Sequence, residues 1–273
     1  MSDIANYGGL LRKVPHAPKP LKKGIKEFFF SSLWGCGGGL SERELPHVNI
    51  KENDMELKGL KANFLGDSIT EGYGVADPEN IYLNILKREC GLAEARNYGI
   101  GGTRLARELS NTWAKNDDDR NMCARSLTMD PDADLIVLFG GSNDFGHGTA
   151  PRGLPTDRTR DTFWGACHEV MTNLITKYPE ATIIVVTPLH RWNENDPHGD
   201  FRNYDLDTLK VYADIIREVA EYYSLPVLDL YRISGIQPEV PVMREKYMPD
   251  GLHPNDAGHH IIAKRFEGFL KSL

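Results

Sequence analysis

Two stretches far apart in the chain carry residue types that could act together. Gly66-Asp67-Ser68-Ile69-Thr70 sets a serine just after a glycine, and Asp250-Gly251-Leu252-His253-Pro254-Asn255 sets a histidine three residues after an aspartate. A serine hydroxyl is a poor nucleophile until a base within hydrogen-bond reach takes its proton. Imidazole suits that task because it titrates near neutrality. It also needs an acceptor on its second nitrogen to fix tautomer and orientation, and a carboxylate three residues away on one turn can supply it. Two further stretches could stabilise the charge that such an attack creates. Asn97-Tyr98-Gly99-Ile100-Gly101-Gly102-Thr103 lets backbone come close to a ligand and point an N–H at it. Gly140-Gly141-Ser142-Asn143-Asp144 offers an asparagine amide, a donor that adds no competing base. Each stretch alone has a plain structural reading: Ser68 as a helix cap, the glycines as a turn, Asn143 as an Asx-turn, and Asp-x-x-His as a coincidence among nine histidines. Their order and their shared setting argue for the joint reading.

That setting comes from the elements around them. From about residue 60 the chain alternates apolar strands with amphipathic helices. Strands are expected at 60–65, 134–139, 181–186 and 227–230, and helices around 81–86, 159–178 (stopped by Pro179), 205–223 and 255–270. Strands that are apolar on both faces and alternate with helices imply a mostly parallel sheet covered on both sides, a three-layer α/β/α sandwich. In such sheets the ligand crevice lies at the carboxyl ends of the strands, and each of the four stretches falls just after an expected strand or in a loop, the last of them in the loop before the final helix. Residues 1–59 differ, with Pro15, Pro18, Pro20, the glycines at 37–39, many lysines and no sustained periodicity. They are expected to be an N-terminal extension that wraps the 60–273 domain or contacts a partner, including a second copy of the chain.

Taken together, GDSIT at 66–70, NYGIGGT at 97–103, GGSND at 140–144 and DGLHPN at 250–255 resemble the four sequence blocks of the SGNH (GDSL-type) hydrolases, which carry Ser, Gly, Asn and His. The resemblance covers roughly 60–273. It implies a flavodoxin-like sheet, Ser68 as nucleophile, His253 as base and Asp250 as the third member of a triad. It further implies an oxyanion hole made by the N–H of Ser68, the N–H of Gly102 and the side chain of Asn143. The second block commonly reads Ser-Gly-Asp after its aliphatic residue, whereas here Gly101-Gly102-Thr103 stand there, which leaves Gly101 as the competitor of Gly102.

Other features bound the function. A formal net charge of −7 argues against a nucleic-acid partner. No apolar run approaches the roughly 20 residues that span a bilayer. Cys36, Cys90, Cys123 and Cys167 are scattered, as in a cytoplasmic enzyme with reduced thiols. The Phe28–Cys36 stretch faintly resembles a lipoprotein cleavage site, but Trp34 fits poorly and the stretch lies far from Met1. His190, Asp196 and His198 match no strong metal spacing, so neither metal nor organic cofactor is expected. Asp67, His147, His190 and Trp192 are candidates for substrate contact, together with Asn111, Trp113, Arg152, Arg191 and Asn193 in the loops. Hydrogen-bonding groups mixed with flat aromatic rings suit an acetyl ester on carbohydrate. A lysophospholipase- or thioesterase-like substrate is the nearest alternative. A carbohydrate-binding protein without turnover is the alternative of another class, and a metal-dependent phosphodiesterase lacks an assembled ligand cage.

Overall fold

The computed structural model describes residues 56–107 and 121–273. Expectations for Cys36, Asn111, Trp113 and most of the 1–59 extension fall outside these residues. The chain runs β1 (Lys61–Gly66), α1 (Ser68–Glu71), a 3-10 turn (Pro78–Asn80), α2 (Tyr82–Cys90), β2 (Glu94–Gly99), α3 (Met122–Ser126) and β3 (Leu135–Phe139). It continues through α4 (Ser142–His147), α5 (Phe163–Lys177), β4 (Thr182–Val186), α6 (Leu209–Tyr222), β5 (Val227–Leu228), α7 (Leu230–Ile233), α8 (Pro241–Tyr247) and α9 (Asp256–Leu270). The strands form one parallel sheet in the order β2-β1-β3-β4-β5.

The period-2 alternation of the central strands builds both layers of the core. Leu65, Ile136, Leu138, Ile183 and Val185 face a cluster completed by α3, α5 and α6. Ala62, Phe64, Leu135, Val137, Phe139, Ile184 and Val186 face the opposite cluster, completed by α2 and α9. In that second layer the ring of Phe266 lies flat on Tyr82, with centroids 5.2 Å apart. The domain is therefore a three-layer α/β/α sandwich. No helix among the described residues is long and apolar enough to cross a membrane.

The helix starts follow their caps. The Thr162 side chain accepts from Gly165 N, so α5 opens at Phe163 and not near 159, and the Asn255 side chain accepts from Gly258 N at the head of α9. Asp229 accepts from Arg232 N and caps α7, which ends the expected strand 227–230 after two residues. β2 was not expected at all. Its side chains are all at least partly exposed, and it is held at the sheet edge by backbone pairing to β1 in the register Lys61↔Glu94 through Gly66↔Gly99.

The strand order puts β1 and β3 side by side, with their chains leaving in opposite directions across the sheet. That is the switch point of a doubly wound sheet, where the crevice forms. Ser68 follows β1 and Asn143 follows β3, so topology alone makes them neighbours.

Candidate active site

Ser68 is the first residue of α1, a single turn whose cap is Asp67. The Asp67 carboxylate accepts from Ile69 N at 3.0 Å, so capping is done by the residue before the serine and the serine hydroxyl is left for another partner. Gly72 closes the turn at φ 102° and its N–H donates to Ser68 O, a left-handed conformation that favours glycine. Gly99, at the end of β2, lies so close beneath α1 that a Cβ there would sit 2.1 Å from Glu71 N. The backbone of the serine turn thus rests directly on the second block.

The partner is His253. Its Nε2 lies 3.0 Å from Ser68 Oγ, and its Nδ1 lies 2.6 Å from Asp250 Oδ2. The other oxygen of Asp250 accepts the backbone N–H groups of Leu252 (2.8 Å) and His253 (2.7 Å), which folds the Asp-x-x-His stretch into a closed turn. Burial alone would push the Asp250 carboxyl up. The two backbone donors and the His253 ring outweigh that and hold it below the usual carboxylate range. Asp250 is therefore an anion near neutrality, as an orienting acceptor must be.

Across the crevice stand the glycine and asparagine stretches. Gly101 N donates to Glu71 Oε2 at 2.8 Å, and Gly102 follows at φ 72°. Asn143 is the second residue of α4. Its Nδ2 donates to Thr103 O at 2.9 Å, which uses one of its two N–H bonds. Asp144, not singled out in sequence, accepts from Leu105 N (3.0 Å) and Ala106 N (2.8 Å) and so clamps the segment after Gly102 to the end of β3.

Residues 64–261, which contain all four stretches, match the GDSL-like lipase/acylhydrolase family. The chain belongs to that family. A GDSL lipase of Mycobacterium tuberculosis is 30% identical over 135 residues, and the match spans 50% of this chain and about half (49%) of that relative. A crystal structure of a Lactobacillus plantarum protein superposes with a TM-score of 0.67 at 29% identity, over 79% of this chain and 98% of that one. A carbohydrate acetylesterase family member from Sinorhizobium meliloti has a TM-score of 0.52 at 19% identity, over 78% and 100% of the two chains, and shows the fold alone.

In this GDSL-family chain the remaining candidates divide. Asp67 is buried beneath Ser68, and its carboxyl is pushed up to about 7 by burial, with Arg191 pulling the other way. His147 is turned toward Asn143 and Arg104 and stacks on Phe201. His190 pairs with Glu194 at 2.7 Å and packs on Tyr231, while His198 lies between Asp196 and Asp205, so the three residues weighed as metal ligands do not converge. Among the described residues no group of three His, Cys, Asp or Glu side chains is placed to hold a metal ion. Arg191 is fully buried, paired with Asp200 and set over the Phe145 ring, with Nη1 donating to Ser142 O at 3.3 Å. Arg152 pairs with Asp207 at the surface, and Asn193 is buried against Gly199 O and Asp200. Cys167 is buried in the α5 core.

Trp192 behaves differently. Its backbone N–H donates to Gly251 O at 2.9 Å, the residue is 49% exposed, and a Cβ on Gly251 would lie 2.8 Å from the Trp192 Cβ. The tryptophan is thus seated on the turn that joins Asp250 to His253. It forms one wall of an open groove of about 830 Å³, lined also by Pro238, Glu239, Pro241, Arg244, Glu245 and Pro249. Tyr73 was also missed in sequence. It sits 4.4 Å from the His253 ring, centroid to centroid, and is 59% exposed. Only its closeness to Ser68 in the chain could have drawn notice to it.

Proposed function

We propose that this protein is a serine-dependent carboxylic ester hydrolase that prefers short acyl groups, acetyl above all, carried on carbohydrate. The observation that carries the reading is the unbroken line from Ser68 Oγ to His253 Nε2 (3.0 Å) and from His253 Nδ1 to Asp250 Oδ2 (2.6 Å). Ser68 Oγ attacks the acyl carbon as its proton passes to Nε2, and Asp250 stabilises the imidazolium. The oxyanion takes hydrogen bonds from Ser68 N, Gly102 N and the second N–H of Asn143 Nδ2. Glu71 occupies the Gly101 N–H, which favours Gly102 over its neighbour as donor. Collapse expels the alcohol, which takes the proton from His253. Water then attacks the acyl-serine with His253 again as base, releasing the acid and restoring Ser68. No step calls on a cofactor.

The alcohol half of the ester must lie on the His253 side, because it leaves with that proton. The groove beside Trp192 flanks the turn that carries Asp250 and His253, and it is the surface proposed for that half. It combines an indole face and proline rings, on which sugar rings pack, with Arg244, Glu239 and Glu245, which can bond hydroxyls. No long aliphatic slot lines it.

A fluorophosphonate probe should mark Ser68, and adducts on Ser142 or Cys167 instead would overturn the triad. Turnover should survive exhaustive chelation. Values of kcat/KM should fall from nitrophenyl acetate through butyrate to octanoate, and acetate should be released from an acetylated oligosaccharide. A profile that climbs with chain length, with no acetate from the sugar, would transfer the substrate to lipid or thioester.

A further inference from the structure

His147 is the last residue of α4, one turn beyond Asn143, and the two side chains share a helix face. Its Nε2 lies 3.2 Å from Asn143 Oδ1, and its Nδ1 lies 3.4 Å from Arg104 Nη1. A guanidinium stays charged and can only donate. Nδ1 facing Arg104 is therefore the acceptor, the ring is neutral, and the proton sits on Nε2, from which it is donated to Asn143 Oδ1. The polarity of the whole chain follows: Arg104 to His147, His147 to Asn143 Oδ1, and Asn143 Nδ2 to Thr103 O at 2.9 Å. Turned by 180°, the Asn143 amide would set oxygen against Thr103 O and NH2 against the imidazole N–H, losing both bonds. The same Arg104 Nη1 also donates to Gly102 O at 3.4 Å, so one guanidinium touches the two segments that carry Gly102 and Asn143. The ring plane is held parallel to Phe201, within 2°.

We propose that His147 is a positioning residue of the oxyanion hole: Arg104 imposes its Nε2–H tautomer, and that tautomer locks the Asn143 amide with its second N–H toward the acyl oxygen. The inference rests on the reading of Asn143 as an oxyanion donor. It gives His147 a part in turnover without contact to substrate.

Four variants, with nitrophenyl acetate as substrate, and one spectrum of the unmodified protein test it. His147→Leu keeps bulk and removes the donor. Its kcat should fall about 10- to 100-fold with KM within about twofold, because the bond to the oxyanion matters in the transition state alone. His147→Gln, which can present an N–H near the Nε2 position, should recover most of the loss. Asn143→Ala should fall further, and adding His147→Leu to it should cost nothing more, since there is no amide left to position. Proton–nitrogen spectra of the unmodified protein, which need no variant to fold, should show the His147 ring protonated at Nε2 and bare at Nδ1. A ring protonated at Nδ1, a His147→Leu rate within twofold of wild type beside a crippled Asn143→Ala, or losses that multiply in the double variant would each overturn the proposal. If Asn143→Ala itself turned over like wild type while Ser68 still took the probe, the oxyanion reading would fall and this proposal with it, whereas the triad would stand.

Discussion

Replacing Asp250 by asparagine separates orientation from charge at nearly constant shape. In the wild type one carboxylate oxygen accepts Leu252 N at 2.8 Å and His253 N at 2.7 Å, and the other faces His253 Nδ1 at 2.6 Å. An asparagine keeps the two backbone bonds only with its carbonyl oxygen in the first position, which turns its NH2 toward Nδ1. The ring must then accept there, carry its proton on Nε2 and donate to Ser68 Oγ, which rules out the part of base proposed for it. Flipping the amide restores the tautomer but forfeits two backbone bonds of roughly 1 kcal/mol each and sets donors face to face. Keeping a proton on Nδ1 against the NH2 forfeits a charge-assisted bond of about 2 kcal/mol and crowds two donors. With the lost stabilisation of the imidazolium added, the barrier rises by about 3–5 kcal/mol, or roughly 10²- to 10⁴-fold in kcat. The Asp250 side chain is 49% exposed, so water screens part of the charge term and the middle of that range is expected. Steady-state hydrolysis of nitrophenyl acetate by folded Asp250→Asn measures it. A kcat within tenfold of wild type would refute the claim that the Leu252 and His253 N–H groups dictate the amide's orientation.

Gly99→Ala should lower both stability and turnover, because its Cβ would fall 2.1 Å from Glu71 N and 2.5 Å from Thr70 C, backbone atoms of the serine turn. Overpacking of about 1–3 kcal/mol corresponds to a Tm lower by roughly 2–12 °C, and a melt like that of wild type would show that α1 yields freely. Asp67 supplies a pH test. Its folded-state value of about 7 stands above 3.8, so its contribution favours the fold fully below about pH 4 and is lost as pH rises through 7. Asp67→Asn keeps an acceptor for Ile69 N, and its Tm relative to wild type should be more favourable at pH 8 than at pH 5; an offset equal at both would contradict the buried proton.

Elements that bury apolar side chains on both faces were legible: β1, β3 and β4 were expected within a residue or two of where they lie, and α9 begins one residue after the position expected for it. β2 was not, and the reason is physical. Glu94 and Arg96 form a salt bridge with each other and Arg96 forms another with Asp132, so the strand's side chains answer to surface charges, and its conformation is set by hydrogen bonds to β1. Periodicity reports burial, and an edge strand with solvated sides has little to report.

The same logic explains why the candidate site offered residue types in the sequence yet not their geometry. α1 is four residues long and α4 is six, too short for a helical period, and in isolation neither would persist in water. Distant atoms define them. Gly99 lies under α1, Asp144 grips Leu105 and Ala106 from α4, and Arg191 Nη1 bonds Ser142 O at the head of α4. Burying Asp67 and Asp144 has a cost, visible in carboxyls pushed up to about 7 and about 6. That cost falls beside Ser68 and Asn143, the two residues the strand order brings together. A serine turn held by a buried carboxyl and an asparagine held from both ends have little freedom left to lose, which is what the oxyanion site proposed for them would require.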